Sequence, residues 1–140
     1  MRNTHALTTL LAASVLSAGA VTTAGAVDGD TSITVGAPKN LVAGGKAPFD
    51  APGVKAIRRG KAIPAGYVLP GRTVTVKAGT GAAGAAIRFT CPAGKALRTF
   101  ATTGTVGLAI DRKYVGRRST NVMSIGRGKD ASGAVYAVCR

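Results

Sequence analysis

The chain has 140 residues, with 19 Lys and Arg against five acidic residues, a net charge of +14. All five acids are aspartates (Asp28, Asp30, Asp50, Asp111, Asp130), there is no Glu, and the single His is His5. Beyond residue 5 this inventory excludes Ser-His-Asp and Cys-His constellations, His-based zinc sites and paired glutamates, while the cationic excess favours polyanions as partners.

The chain starts with Arg2 next to the start amine, continues with an apolar stretch from Ala6 to Val21, and then reaches the small triplet Ala24-Gly25-Ala26. This is the three-part layout of a secretory signal peptide, with cleavage expected after Ala26. Thr8, Thr9 and Ser14 interrupt an apolar stretch already shorter than the roughly 20 residues of a spanning helix. No transmembrane segment is therefore expected after processing, and the product is expected to be secreted, extracellular or cell-surface associated. Loss of Arg2 lowers the net charge by one, and His5 leaves with the signal. The remaining 27–140 are enough for one domain of ordinary size.

Residues 27–53 contain three prolines and many glycines, with one short β-like run from Ser32 to Val35. They read as an extended or partly disordered, flexible N-terminal arm. The β domain is expected over 54–140. Arg72 to Ala78 is dense in Thr and Val, and Pro70-Gly71 reads as the turn that introduces it. Ala85 to Cys91 alternates, with Ile87, Phe89 and Cys91 on the face expected to meet the core. Val106, Leu108 and Ile110 repeat the period of two, as do Val135, Ala137 and Cys139 in the final run. Runs 95–102 and 119–125 complete the set, with turns at Pro92-Ala93-Gly94, Thr103-Gly104 and Gly126 to Gly133. No sustained 3.6-residue apolar period is present. The expected fold is all-β, a small antiparallel sandwich or open barrel with one disulfide, preceded by the arm.

Cys91 and Cys139 are the only cysteines, and an even count in a chain bound for an oxidising compartment predicts a structural disulfide. Both fall on the apolar faces of their strands, which points to a buried bridge, inter-strand or inter-sheet. A nucleophilic thiol needs a neighbouring base, and the only His lies in the signal segment.

Gly79, Gly81 and Gly84 match the letters of a dinucleotide-binding loop, but a β run rather than a helix follows them and no acid stands about 20 residues on. A flexible hairpin connection is the expectation there, and no cofactor is expected. Two basic patches stand out: Arg58, Arg59 and Lys61 in the first, Arg112, Lys113, Arg117 and Arg118 in the second. Arginine forks in these patches suit phosphate or carboxylate groups; the competing reading is solvated turn charge. Only Tyr114 is an aromatic nearby, so the stacking platform of a single-strand nucleic-acid binder is missing and no specific nucleic acid is expected.

Cys91-Pro92-Ala93-Gly94 together with the terminal Val135-Tyr136-Ala137-Val138-Cys139 resembles a broad group of small exported actinobacterial proteins. These open a β-rich half with a Cys-Pro-x-Gly turn and close on a Tyr-Ala-x-Cys strand. The similarity spans about residues 88–140. It implies a single disulfide-linked β domain from such a source and adds no activity. The chain departs from the group in lacking Trp, which argues against carbohydrate stacking.

Taken together, these readings predict a secreted, basic, non-enzymatic protein that binds anionic wall polymer or lipid headgroups. The alternative is an inhibitor of a secreted protease, presenting a basic loop such as Ala56 to Ala62 or Arg112 to Arg118. A membrane-active cationic protein is a third possibility, for which no basic amphipathic helix is visible.

Overall fold

A computed structural model of the chain describes residues 22–24, 30–110 and 112–140. Most of the expected signal peptide, together with Asp28 and Asp111, lies outside the described residues. Among the described residues eight strands form two antiparallel sheets. The larger contains β1 (Thr22–Ala24), β2 (Ser32–Val42), β3 (Val68–Lys77), β8 (Ala131–Cys139) and β5 (Leu97–Gly104), in the order β1-β2-β3-β8-β5. The smaller contains β4 (Ala82–Thr90), β7 (Ser119–Arg127) and β6 (Gly107–Ile110), in the order β4-β7-β6. The sheets pack face to face, so of the two expected architectures the chain adopts the sandwich.

The inner core follows directly from the period-two pattern. Ile33, Val35, Val74, Val76, Phe100, Val135 and Ala137 project from the larger sheet onto Ala85, Ile87, Phe89 and Val122 of the smaller. Ala86, Arg88 and Thr90 alternate outward, as the sequence of β4 requires. The disulfide joins Cys91, just past the end of β4, to Cys139 at the end of β8, with Cα atoms 5.7 Å apart. It is therefore an inter-sheet staple, and both cysteines are at most 1% exposed.

A second core lies on the opposite face of the larger sheet. Leu69, Ala101, Ala134, Tyr136 and Val138 meet Ala47, Phe49, Ala51, Ile57, Ile63 and Tyr67, all from the long connection 43–67 or its last residue. This strap carries no regular strand. It closes on itself through main-chain bonds, Gly44 N–H to Ile63 C=O at 2.9 Å, Ala47 N–H to Lys61 C=O at 2.9 Å and Ile63 N–H to Gly45 C=O at 2.7 Å. Phe49 packs on Tyr136 with ring centroids 5.3 Å apart. As a result β8, central in the sheet, is buried on both faces from Ala134 to Cys139.

Several expectations are corrected by this architecture. Residues 30–53 are not an arm: β2 is paired with β3 along nearly its whole length, and Ala47, Phe49 and Ala51 are core residues. The apolar residues there are widely spaced among Gly and Pro, so neither period of two nor 3.6 registers them. Likewise, 54–67 belongs to the strap rather than to β structure. Pro70-Gly71 is not a turn but the interior of β3, where Pro70 sits opposite Asn40 and the ladder to β8 pauses between Val68 and Gly71. A proline without an N–H fits where no ladder bond is made. Gly71 is required by close approach, because a Cβ there would run into the Tyr136 ring and lie 2.7 Å from Lys39 C=O.

The glycine loop after β3 is not a hairpin either, since β3 and β4 lie in different sheets. It is a tied crossover: Thr31 Oγ1 donates to Gly81 C=O at 2.8 Å, and Ala78 N–H donates to Asp130 Oδ1 at 2.6 Å. At the far end β7 runs through Arg127 and β8 begins at Ala131, so the turn expected over 126–133 shortens to 128–130.

β1 pairs with Ile33 to Val35 of β2, yet it falls within the segment expected to be removed by cleavage after Ala26. Without it β2 is the sheet edge. That edge carries Pro38, a register slip between Val35 and Pro38, and Lys39, three features that discourage pairing with another chain.

Candidate anion-binding surface

Arg58, Arg59 and Lys61 are exposed on the strap. Their backbone is pinned from below, because Ile57 and Ile63 are each 1% exposed. Arg59 N–H donates to Asp50 Oδ1 at 3.1 Å, Gly60 N–H donates to Ala47 C=O at 2.8 Å, and Arg58 Nε donates to Lys55 C=O at 3.3 Å. The patch is thus a set of solvated cations on a fixed loop.

The second patch lies between β6 and β7, where Arg112–Tyr114 form a single 3-10 turn. Tyr114 anchors it by standing edge-on to Phe100, centroids 4.9 Å apart. Lys113, Arg117 and Arg118 are exposed, and the Arg112 side chain lies outside the described residues. Arg118 is tied to the disulfide: its C=O accepts from Cys91 N–H at 2.7 Å, and its Nε donates to Cys91 C=O at 3.2 Å. Leu97 N–H donates to Arg117 C=O at 2.7 Å. The patch is therefore stitched to the disulfide end of the sandwich and to the start of β5.

The same end holds a group of side chains that the sequence did not single out. Lys55, Tyr67, Arg98 and Arg140 line a depression of about 480 Å3, together with Pro52, Gly53, Val54 and Ala56 of the strap. Arg140 lies over the Tyr67 ring, its guanidinium carbon 5.2 Å from the centroid, and Nη1 donates to the Tyr67 hydroxyl at 3.4 Å. Its main chain is fixed by a reciprocal pair with Ala96, both bonds 3.0 Å. Lys95 Nζ donates to Gly66 C=O at 2.6 Å, tying the end of the strap to the approach to β5. These cations are isolated in sequence, and Tyr67 and Arg140 are 73 positions apart. Arg98 sits at an exposed place in a strand, where a lone cation is the ordinary solvent-facing choice, so no local signal marked it.

The described acids serve elsewhere. Asp50 and Asp130 accept from main-chain N–H groups, Asp30 Oδ1 accepts from Thr80 Oγ1 at 3.5 Å, and none of the three lines the depression. Beyond Pro52, which lines both, Phe100, Ala101, Val106, Leu108 and Ile110 line an apolar cleft of about 310 Å3 beside the edge strands β5 and β6, with Asp50 next to it.

Comparison of the chain with protein-family models, curated proteins and solved structures returned no match.

Proposed function

We propose that this chain is an exported, non-enzymatic protein that holds anionic material of the cell envelope, wall polymer or lipid headgroups, by electrostatics. The observation that carries the reading is the imbalance of charge: +14 overall, with exposed Arg and Lys on the strap, on the β6–β7 connection and at the disulfide end. The three described aspartates are bonded to main-chain amides or a hydroxyl. Such a surface attracts polyanions over roughly a Debye length, about 10 Å at 0.1 M salt. Export is supported by the residue pattern of 1–26 and by the disulfide. Among the described residues no helix is long and apolar enough to cross a membrane. The absence of His and Glu from 27–140 supports a non-catalytic role.

The test is retention of the purified protein on anionic wall material against a neutral matrix across a salt series. Retention at low salt that disappears as salt rises is the expected result; equal recovery from both matrices sinks the reading.

One observation favours a second reading, inhibition of a secreted protease. Arg58 and Arg59 project from a loop whose flanks, Ile57 and Ile63, are buried and whose main chain is bonded on both sides, and inhibitory loops need that preorganisation. Stoichiometric slowing of a trypsin-like enzyme, abolished in Arg58→Ala/Arg59→Ala, is the outcome it requires.

A further inference from the structure

We infer that the depression formed by Lys55, Tyr67, Arg98 and Arg140 is a discrete binding site for a phosphate group carried on a polyol or sugar. The inference deepens the electrostatic reading above and rests on it for the source of the ligand. Three features separate this site from the remaining surface charge.

The first is how Arg98 is presented. In the β5–β8 ladder Leu97 pairs with Cys139 and Thr99 with Val138, so Arg98 is an extra residue, a β-bulge. A bulge takes its residue out of the ladder and re-aims the side chain, and bulges concentrate beside functional sites. Here the re-aimed side chain lines the depression.

The second is preorganisation. Arg140 directly follows the disulfide half Cys139, is clamped to Ala96 by two main-chain bonds, and rests on the Tyr67 ring. Tyr67 is 7% exposed. An arginine held in this way loses little side-chain freedom when it binds an anion, and its fork matches phosphate oxygens.

The third is the sign of every polar side chain lining the site. Lys55, Arg98 and Arg140 are donors only, and the Tyr67 oxygen already accepts from Arg140, which leaves its own proton to donate. Among the described residues no carboxylate side chain lines the depression, and three cations outnumber any single negative charge on the main chain of Arg140. Donors without acceptors select an anion with several acceptor oxygens. The apolar walls from Pro52, Val54, Ala56 and the Tyr67 ring, with a volume of about 480 Å3, leave room for the carbon skeleton attached to it.

The experiment compares two double variants of equal charge change. The purified protein is titrated with glycerol 3-phosphate, and separately with vesicles of phosphatidylglycerol in phosphatidylcholine, while amide shifts are followed by NMR. Saturable shifts at Gly53, Lys55, Tyr67, Arg98 and Arg140 are expected. Lys55→Gln/Arg98→Gln is expected to weaken binding about tenfold, the scale of losing one or two charge-assisted bonds at a partly exposed site, whereas Arg58→Gln/Arg59→Gln changes it less than twofold. All four positions are exposed, and unchanged near-UV circular dichroism verifies that the variants fold. Shifts with soluble glycerol 3-phosphate assign a polymer unit as the source; shifts confined to vesicles assign a headgroup, with the same site engaged. Equal weakening by both double variants, or shifts spread over every cation, overturns the site and leaves the general electrostatic reading standing. Saturable binding in the depression by a protein that wall material does not retain has the opposite meaning: the site is real and the proposed role is wrong.

Discussion

The inner and outer cores share the same central strand and use the same kinds of side chain, but they are assembled by different rules. Between the sheets nearly every apolar position comes from a strand, with Cys91 and Val106 directly flanking one, alternation aims them, and Cys91–Cys139 fastens the two layers. Under the strap, half of the contact is supplied by irregular chain in which Phe49, Ile57 and Ile63 are held by turns and main-chain bonds. Strand order makes the first core redundant, whereas the second depends on one long connection keeping its shape. The outer core, although as well buried, is therefore expected to open first and to control the depression proposed to hold phosphate, most of whose lining is strap.

The largest effect should come from the staple. Replacing both cysteines, Cys91→Ala with Cys139→Ala, is expected to lower unfolding free energy by about 4 kcal/mol, as the chain-entropy treatment gives for a closed loop of this length, read from the urea midpoint. A loss well under 1 kcal/mol would mean that the sheets need no fastening. Next in size, Ile87→Ala in the inner core is expected to cost about 3 kcal/mol and to deprotect amides throughout both sheets. Ile57→Ala in the outer core is expected to cost about 2 kcal/mol, with hydrogen exchange accelerated in 43–67 well before the strands. If both variants accelerate exchange everywhere alike, the two cores are one cooperative unit and the strap does not open on its own.

A pH effect is expected to be smaller and confined to the outer core. Burial pushes the Tyr136 phenol above its ordinary value of 10.0. Because the folded state favours the neutral form, this contribution is complete below pH 10, where the unfolded phenol is also protonated, and is lost as pH rises through the folded value. Tyr136→Phe should therefore flatten part of the alkaline fall in stability while leaving the neutral region nearly unchanged; identical alkaline profiles would show that Tyr136 is not excluded from water. The smallest effect is expected from β1. Protein beginning at Val27 should match the full chain within about 0.5 kcal/mol, since the described β1 is three residues at a sheet edge. A larger loss would make that pairing part of the fold.

The sequence alone was sufficient for the all-β class, for the faces of β4 and β8 toward the inner core, and for the cysteine pair, because a period of two and an even cysteine count are local properties that survive whatever tertiary arrangement follows. It was not sufficient for the strap, whose apolar residues obey no period, or for Pro70 inside β3, where only the interrupted ladder explains a proline in a strand. The basic patches at Arg58 and Arg117 were legible as runs of charge. The depression was not: Lys55, Tyr67, Arg98 and Arg140 lie far apart in the chain and are joined by the path of the strap, by a bulge in β5 and by the last residue after the disulfide. Convergence of that kind is set by strand order and register, and no local pattern of residues encodes it.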